Sequence, residues 1–301
     1  MMRSGMRGGD GWNVIMGLDF REKHAAGASS PLPGGIPPVS GLAVRRSRRC
    51  PALLAVVLLA VACTRAGDAR AGEALVAVAT NFAEVMPPLV EAFEGRSGHE
   101  LRYTTGSTGQ LYAQISKRAP FDAFLAADTE RPERLVAEER AVATSRFTYA
   151  RGRLVLWSRD ANRIEADGAG TLRDAPPRKL AMANPRLAPY GAAARETLER
   201  LGLWDEFKPR IAMAQNVGQA YAMVHMGAAE MGFVARSALP AKDGDAPGSH
   251  WPVPAALHDP IRQDAVLLAR SEDNAAARAF LDFLAGPQGR RIIADHGYEM
   301  E

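Results

Sequence analysis

The chain has 301 residues, 47% hydrophobic and 24% charged, a composition that suits one large globular domain or two smaller ones. Its formal net charge of +3 is misleading: residues 1–71 carry 10 of the 37 basic and 4 of the 34 acidic side chains, which leaves 27 against 30 and a formal charge of −3 beyond them. A mildly acidic body argues against nucleic acid, which selects a basic face, and equally against bulk charge as the means of holding an anion.

Residues 1–44 are rich in Gly, Pro, Ser and Arg without periodicity, and read as disordered or as a start codon placed too early. There follow Arg45-Arg46-Ser47-Arg48-Arg49, an apolar run over 52–62, and Ala69-Arg70-Ala71. Basic region, apolar core and A-x-A site are the layout of a secretory signal, here 45–71. The run is too short to cross a bilayer, which takes about 20 residues. Cys50 and Cys63 both fall in this part, so a body from Gly72 has no disulfide and no thiol chemistry. Lipid anchoring at Cys63 is the lesser alternative, since the usual leucine three places before it is missing.

From there strand-like and helix-like stretches alternate. A strand over 75–79 leads through Thr80-Asn81 into a helix over 82–93. A strand over 101–104 and the turn Gly106-Ser107-Thr108-Gly109 open a helix over 110–117. A third strand (121–126) precedes a helix over 131–139. Strands at 153–157 and 180–183 follow, then a helix over 192–201 after Pro189-Tyr190-Gly191. A strand near 211–213 runs through Asn216-Val217-Gly218 into a helix over 219–226, with a strand at 231–234 behind it. A polar loop (242–248), a strand over 261–269 and helices over 275–284 and 288–295 close the chain. Repeated strand–turn–helix units imply an α/β fold with parallel crossovers. Trp157, Trp204 and Trp251 are expected at lobe surfaces or the hinge, and Met223, Met226 and Met231 in the core.

Four strands end in a small polar or glycine-bearing turn that opens a helix: Thr80-Asn81, Gly106 to Gly109, Tyr190-Gly191 and Asn216 to Gly218. Such a turn directs unpaired N–H groups and the positive end of the helix dipole outward, at the strand ends where α/β proteins bind ligands. Singly, each is an ordinary helix cap. Together, with no cation among them, four ends of about +0.5 each offset a dianion, and the Thr80 and Ser107 hydroxyls add donors. A cage made only of donors rejects an anion that brings its own proton. His99, His225, His250, His258 and His296 form no close metal-ligand pattern. Asp122 and Asp128 would repel an anion and read as structural or rim residues. Ser107 lacks the G-x-S-x-G elbow and a recognisable base, so a secreted hydrolase is the weaker reading.

The stretches 77–86 (AVATNFAEVM), 104–115 (TTGSTGQLYAQI), 119–128 (APFDAFLAAD), 183–192 (ANPRLAPYGA), 215–220 (QNVGQA), 232–237 (GFVARS) and 283–290 (FLAGPQGR) carry a resemblance. From about Leu75 to Tyr298 the chain resembles the periplasmic molybdate-binding proteins of ABC transporters. The resemblance implies a type II, two-lobed periplasmic binding protein fold. Each lobe is a mainly parallel sheet flanked by helices, and two crossover strands join them. Lobe I would hold 72–152 plus 258–301 and lobe II 153–257. It implies a non-enzymatic, monomeric periplasmic protein without a cofactor. That protein would capture molybdate, and tungstate with it, and deliver it to a permease and its ATPase. The implied ligand contacts are Thr80, Asn81, Ser107, Tyr190 and Val217, the last through its backbone N–H alone, with no direct bond to molybdenum. Some relatives place a tyrosine where this chain has Ala235, so the fifth contact falls to Asn81 or a backbone group. Sulfate, another oxyanion or an organic anion in the same fold is the alternative.

Overall fold

Strand β1 (Glu73–Ala79) is apolar on both faces: Val76 and Val78 pack with Leu89 and Phe93, and Ala77 packs with Leu111 and Phe124. A strand covered on both sides needs an unbroken apolar run rather than alternation. The computed structural model describes residues 71–240 and 247–300. Within them β1 lies inside a five-stranded sheet of order β2-β1-β3-β10-β4. Its other members are β2 (Glu100–Gly106), β3 (Ala123–Leu125), β4 (Phe147–Gly152) and β10 (Ile261–Leu267). On one face lie α1 (Met86–Ser97), α8 (Ala275–Ala285) and α9 (Pro287–Asp295). On the other lie α2 (Thr108–Ser116) and α3 (Glu130–Ala137).

A second sheet repeats the plan in the order β7-β6-β8-β5-β9. Its strands are β5 (Leu154–Ser158), β6 (Leu180–Ala183), β7 (Ile211–Ala214), β8 (Met231–Ala235) and β9 (Ser249–Pro252). Helices α4 (Gly168–Asp174), α5 (Pro189–Arg200) and α6 (Trp204–Phe207) cover one face, and α7 (Val217–His225) the other. In each sheet one strand runs against the rest: β10 is antiparallel to β3 and β4, and β5 to β8 and β9. Those two are the first strands the chain lays down after each passage between sheets. The passages are Arg153 and the segment 253–260. The architecture is therefore a two-lobed α/β fold with mainly parallel sheets.

Several local expectations need correction. The first helix begins at Met86, not at 82, because Pro87 and Pro88 lack the N–H an interior position must donate. It runs to Ser97, where Gly98 at φ 69° takes the left-handed cap. Thr80 to Phe82 form only a 3₁₀ turn, with no side-chain cap. Strands β4 and β9 and helices α4 and α6 were not anticipated. Trp157 is fully buried rather than superficial; its ring stacks on Tyr221 and its Nε1 donates to Pro247 O over 2.8 Å. Met226 is 73% exposed just past the last turn of α7, whereas Met231 is buried. The expected signal segment up to residue 70, both cysteines and residues 241–246 of the polar loop lie outside the described residues.

Candidate functional site

The turns that follow β1, β2, β6 and β7 meet at one small cavity of about 10 Å³ between the two lobes. Thr80, Asn81 and Ser107 reach it from the first sheet, Tyr190 and Val217 from the second, so the five expected contacts are brought together. Every described residue lining it is uncharged. Larger hollows lie elsewhere. One of about 470 Å³ between α1 and α8 is rimmed by Phe93 and Phe283. Another, of about 350 Å³, carries the carboxylates of Asp128, Glu130, Glu196 and Asp259. Both are lined in part by charged side chains, as the small cavity is not.

Thr80 contributes a hydroxyl of a particular kind. Its Oγ1 is buried and has no hydrogen-bond partner. Leaving such a group unpaired costs about 1–3 kcal/mol, and an orphan in a native fold calls for a functional explanation.

Ser107 is the N-cap of α2 and makes a full capping box. Its Oγ accepts from Gln110 N–H and its own N–H donates to Gln110 Oε1, both over 3.3 Å. The cap uses the oxygen as acceptor and leaves the hydroxyl proton for the cavity.

In the second lobe, Pro189 and Tyr190 open α5, and Tyr190 supplies the first N–H of that helix, since proline has none. Glycine is required next to it: a β-carbon on Gly191 would stand 2.3 Å from Ala183 O, so the helix could not sit this close to the end of β6. Asn216 caps α7 by accepting from Gln219 N–H over 2.9 Å. The N–H groups of Val217 and Gly218 fall in the first turn, where no intrahelical partner exists.

Two features differ from the sequence reading. Three α-helix N-termini converge rather than four, because the Thr80 turn is 3₁₀ and α1 starts six residues later. Their dipoles supply formally about +1.5. The Asn81 amide, moreover, is committed elsewhere: Nδ2 donates to Gln263 Oε1 (2.8 Å) and to Tyr298 OH (2.9 Å). Its main-chain oxygen accepts from Ser237 Oγ and Tyr298 OH, both over 2.7 Å, so what Asn81 has left to offer is its main-chain N–H. The sequence reading missed Gln263, Tyr298, Tyr149 and Ser237, which pack around Asn81 as a buried polar network. The one signal was the polar run Arg262-Gln263-Asp264 inside strand β10.

The carboxylates stay out of the cavity. Asp122 accepts from Leu75 N–H and Ser271 Oγ, both over 2.6 Å, and ties β1 to the turn after β10. Asp128 binds the main chain and guanidinium of Arg131. Burial holds its carboxyl above the ordinary range despite the arginine.

The lobes touch across the cavity mouth. Gly109 N–H donates to Leu187 O over 2.8 Å, Gln110 Nε2 to Gln215 Oε1 over 3.0 Å, and Arg131 Nη2 to Arg186 O over 3.2 Å.

Comparison with known proteins agrees with this geometry. The family profile of the bacterial extracellular solute-binding proteins matches residues 74–299. The molybdate-binding protein ModA of Rhodobacter capsulatus is 44% identical over 233 residues, 77% of this chain and 90% of its own. Its Azotobacter vinelandii counterpart is 45% identical over 234 residues, 77% of this chain and 92% of its own. The solved periplasmic molybdate-binding protein of Azotobacter vinelandii superposes with a TM-score of 0.73 at 38% identity, over 76% of this chain and 99% of that one. The chain belongs to the family of bacterial extracellular solute-binding proteins.

Proposed function

We propose that this chain captures molybdate, and tungstate with it, in the interlobe cavity and hands it to an ABC permease driven by its ATPase. The observation that carries the reading is the donor set: an unpartnered buried Thr80 hydroxyl beside three α-helix N-termini, with no charged side chain in the lining. The names of the relatives point to the same ligand. Thr80 and Ser107 give hydroxyls; Asn81, Tyr190 and Val217 give main-chain N–H groups. Charge-assisted hydrogen bonds of about 1.5–3 kcal/mol each replace the hydration of the dianion. Selectivity follows from a contact set dominated by main-chain N–H groups, which can only donate. Phosphate keeps a proton at neutral pH and would point it at other donors, whereas molybdate is fully deprotonated. Sulfate meets the same requirement but is smaller, and makes looser contacts.

Ser107 bonds Gln110 as a helix cap, not a general base, so we read the protein as binding without turnover. Delivery suits a monomer, exported by the 45–71 segment to the periplasm, with 72–152 plus 258–301 as one lobe and 153–257 as the other. The deciding experiment is isothermal titration of the purified protein with molybdate, tungstate, sulfate and phosphate. One-to-one saturable binding of the first two, with little heat from the others, is expected. Binding of sulfate or an organic anion without molybdate would overturn the ligand assignment and leave the fold intact.

A further inference from the structure

Gln263 lies behind the cavity without lining it, yet it bonds residues of both lobes that do. It is completely buried. Its Oε1 accepts from Asn81 Nδ2 (2.8 Å) and Tyr149 OH (3.0 Å), and its Nε2 donates to Tyr190 OH (3.2 Å). It stands at the bulge of β10, where the register against β4 shifts between Gln263 and Asp264; a bulge re-aims side chains. Tyr190 belongs to the other lobe, and its ring crosses at the passage between β4 and β5. A β-carbon on Gly152 would fall 2.1 Å from Tyr190 OH and 2.6 Å from Gln263 Nε2, so only glycine leaves room for the pair. Tyr190 thus has two ends. Its main chain opens α5 at the cavity, and its hydroxyl is anchored through Gln263 to the turn that carries Thr80 and Asn81.

We propose that Gln263 is a positioning residue: from behind the cavity it holds the Tyr190 turn of one lobe in register with the Asn81 turn of the other. The inference rests on the reading of the cavity as an oxyanion site. Ser237 strengthens the same link, since its Oγ donates to Asn81 O over 2.7 Å from the second lobe. With Gln263 in place, donors from the two lobes are aligned before the anion arrives, and the retained ligand benefits.

The test is Gln263→Met, close in length and without the amide. Stopped-flow kinetics with molybdate should show dissociation roughly tenfold faster, the size expected for one buried hydrogen bond, with association unchanged. Leu284→Ala, a core truncation of the same lobe on α8, a helix that carries no residue of the cavity, the network or the interlobe contacts, should lower the melting temperature and leave dissociation alone. Hydrogen exchange of the ligand-free protein gives a second readout: faster exchange both at 80–82 and at 188–192 in Gln263→Met. Unchanged dissociation, or faster exchange confined to the strands beside 263, would overturn the proposal. Should Gln263→Met fail to fold, Tyr190→Phe removes only the interlobe contact and must itself speed dissociation. If the unmodified protein binds no molybdate, the functional reading falls, and the exchange pattern alone decides the role of Gln263.

Discussion

Thr80 and Gly218 meet between the lobes: a β-carbon at position 218 would stand 2.5 Å from Thr80 Cγ2. The φ of Gly218 lies outside the left-handed region, so alanine suits its backbone and even favours α7. Any harm from Gly218→Ala therefore comes from the partner lobe. The variant should weaken molybdate binding by about 10-fold or more, since overpacking costs roughly 1–3 kcal/mol. Thr80→Ser removes Cγ2 and keeps Oγ, so the double variant should regain most of the affinity. Titration of the three variants decides it, and a double variant as weak as Gly218→Ala alone would refute the steric account.

Thr80→Val separates stability from binding. The substitution keeps the shape and removes a buried hydroxyl that has no partner in the protein. Ligand-free stability should be equal or higher, by up to about 1–3 kcal/mol, the cost of an unsatisfied group. Affinity for molybdate should fall about 10- to 100-fold through one lost charge-assisted bond. Chemical denaturation and titration on the same preparation read the two effects, and a parallel loss of both would show that the hydroxyl is structural.

The site was legible where chemistry is local. Ser107 with Gln110 three residues on, and Asn216 before an apolar run, announce helix starts by spacing alone, and both are caps in the structure. Thr80 was picked out as a hydroxyl donor on a turn that opens a helix; the turn is only 3₁₀ and Thr80 caps nothing, while the missing partner of its hydroxyl is visible only in the packing. The supporting network was out of reach for a different reason. Asn81 bonds Gln263 and Tyr298 across 182 and 217 residues of sequence, and no local pattern relates such positions. Strand β4 was missed similarly, because its neighbour in the sheet is β10, more than a hundred residues away. The first helix, by contrast, was misplaced through a local signal that was present: the Pro87-Pro88 pair.

Three buried phenols surround Gln263, and burial shifts all of them. Tyr149 and Tyr190 stand well above the ordinary tyrosine value of 10, and Tyr298 is pushed up to about 12. The unfolded chain releases these protons near pH 10 while the fold retains them, so the stability they contribute is whole below pH 10 and is lost as pH rises toward 12 and beyond. With three protons linked, the slope reaches about 4 kcal/mol per pH unit. Urea midpoints at pH 8, 10 and 11 should fall steeply, and less steeply in Tyr298→Phe. Identical slopes in the two proteins would contradict the linkage.

Arg131 is placed to hold the mouth of the cavity shut. It leaves α3 in the first lobe, is gripped by Asp128, and donates to Arg186 O in the second lobe over 3.2 Å. The Gly109–Leu187 main-chain bond lies alongside, and a β-carbon on Gly109 would stand 3.0 Å from Leu187 O and 3.1 Å from Leu187 Cα, so glycine lets the two main chains meet. The side chain is about one-fifth exposed, which limits screening without abolishing it. These contacts form only when the lobes meet, so their loss should appear in release and not in capture. Arg131→Met should raise the molybdate dissociation rate about three- to tenfold, the range for one charged hydrogen bond at a partly exposed site, and leave association within a factor of about two. Added salt should quicken release from the unmodified protein and have less effect on the variant. A variant that slows association instead would show that Arg131 steers the anion inward and is no latch.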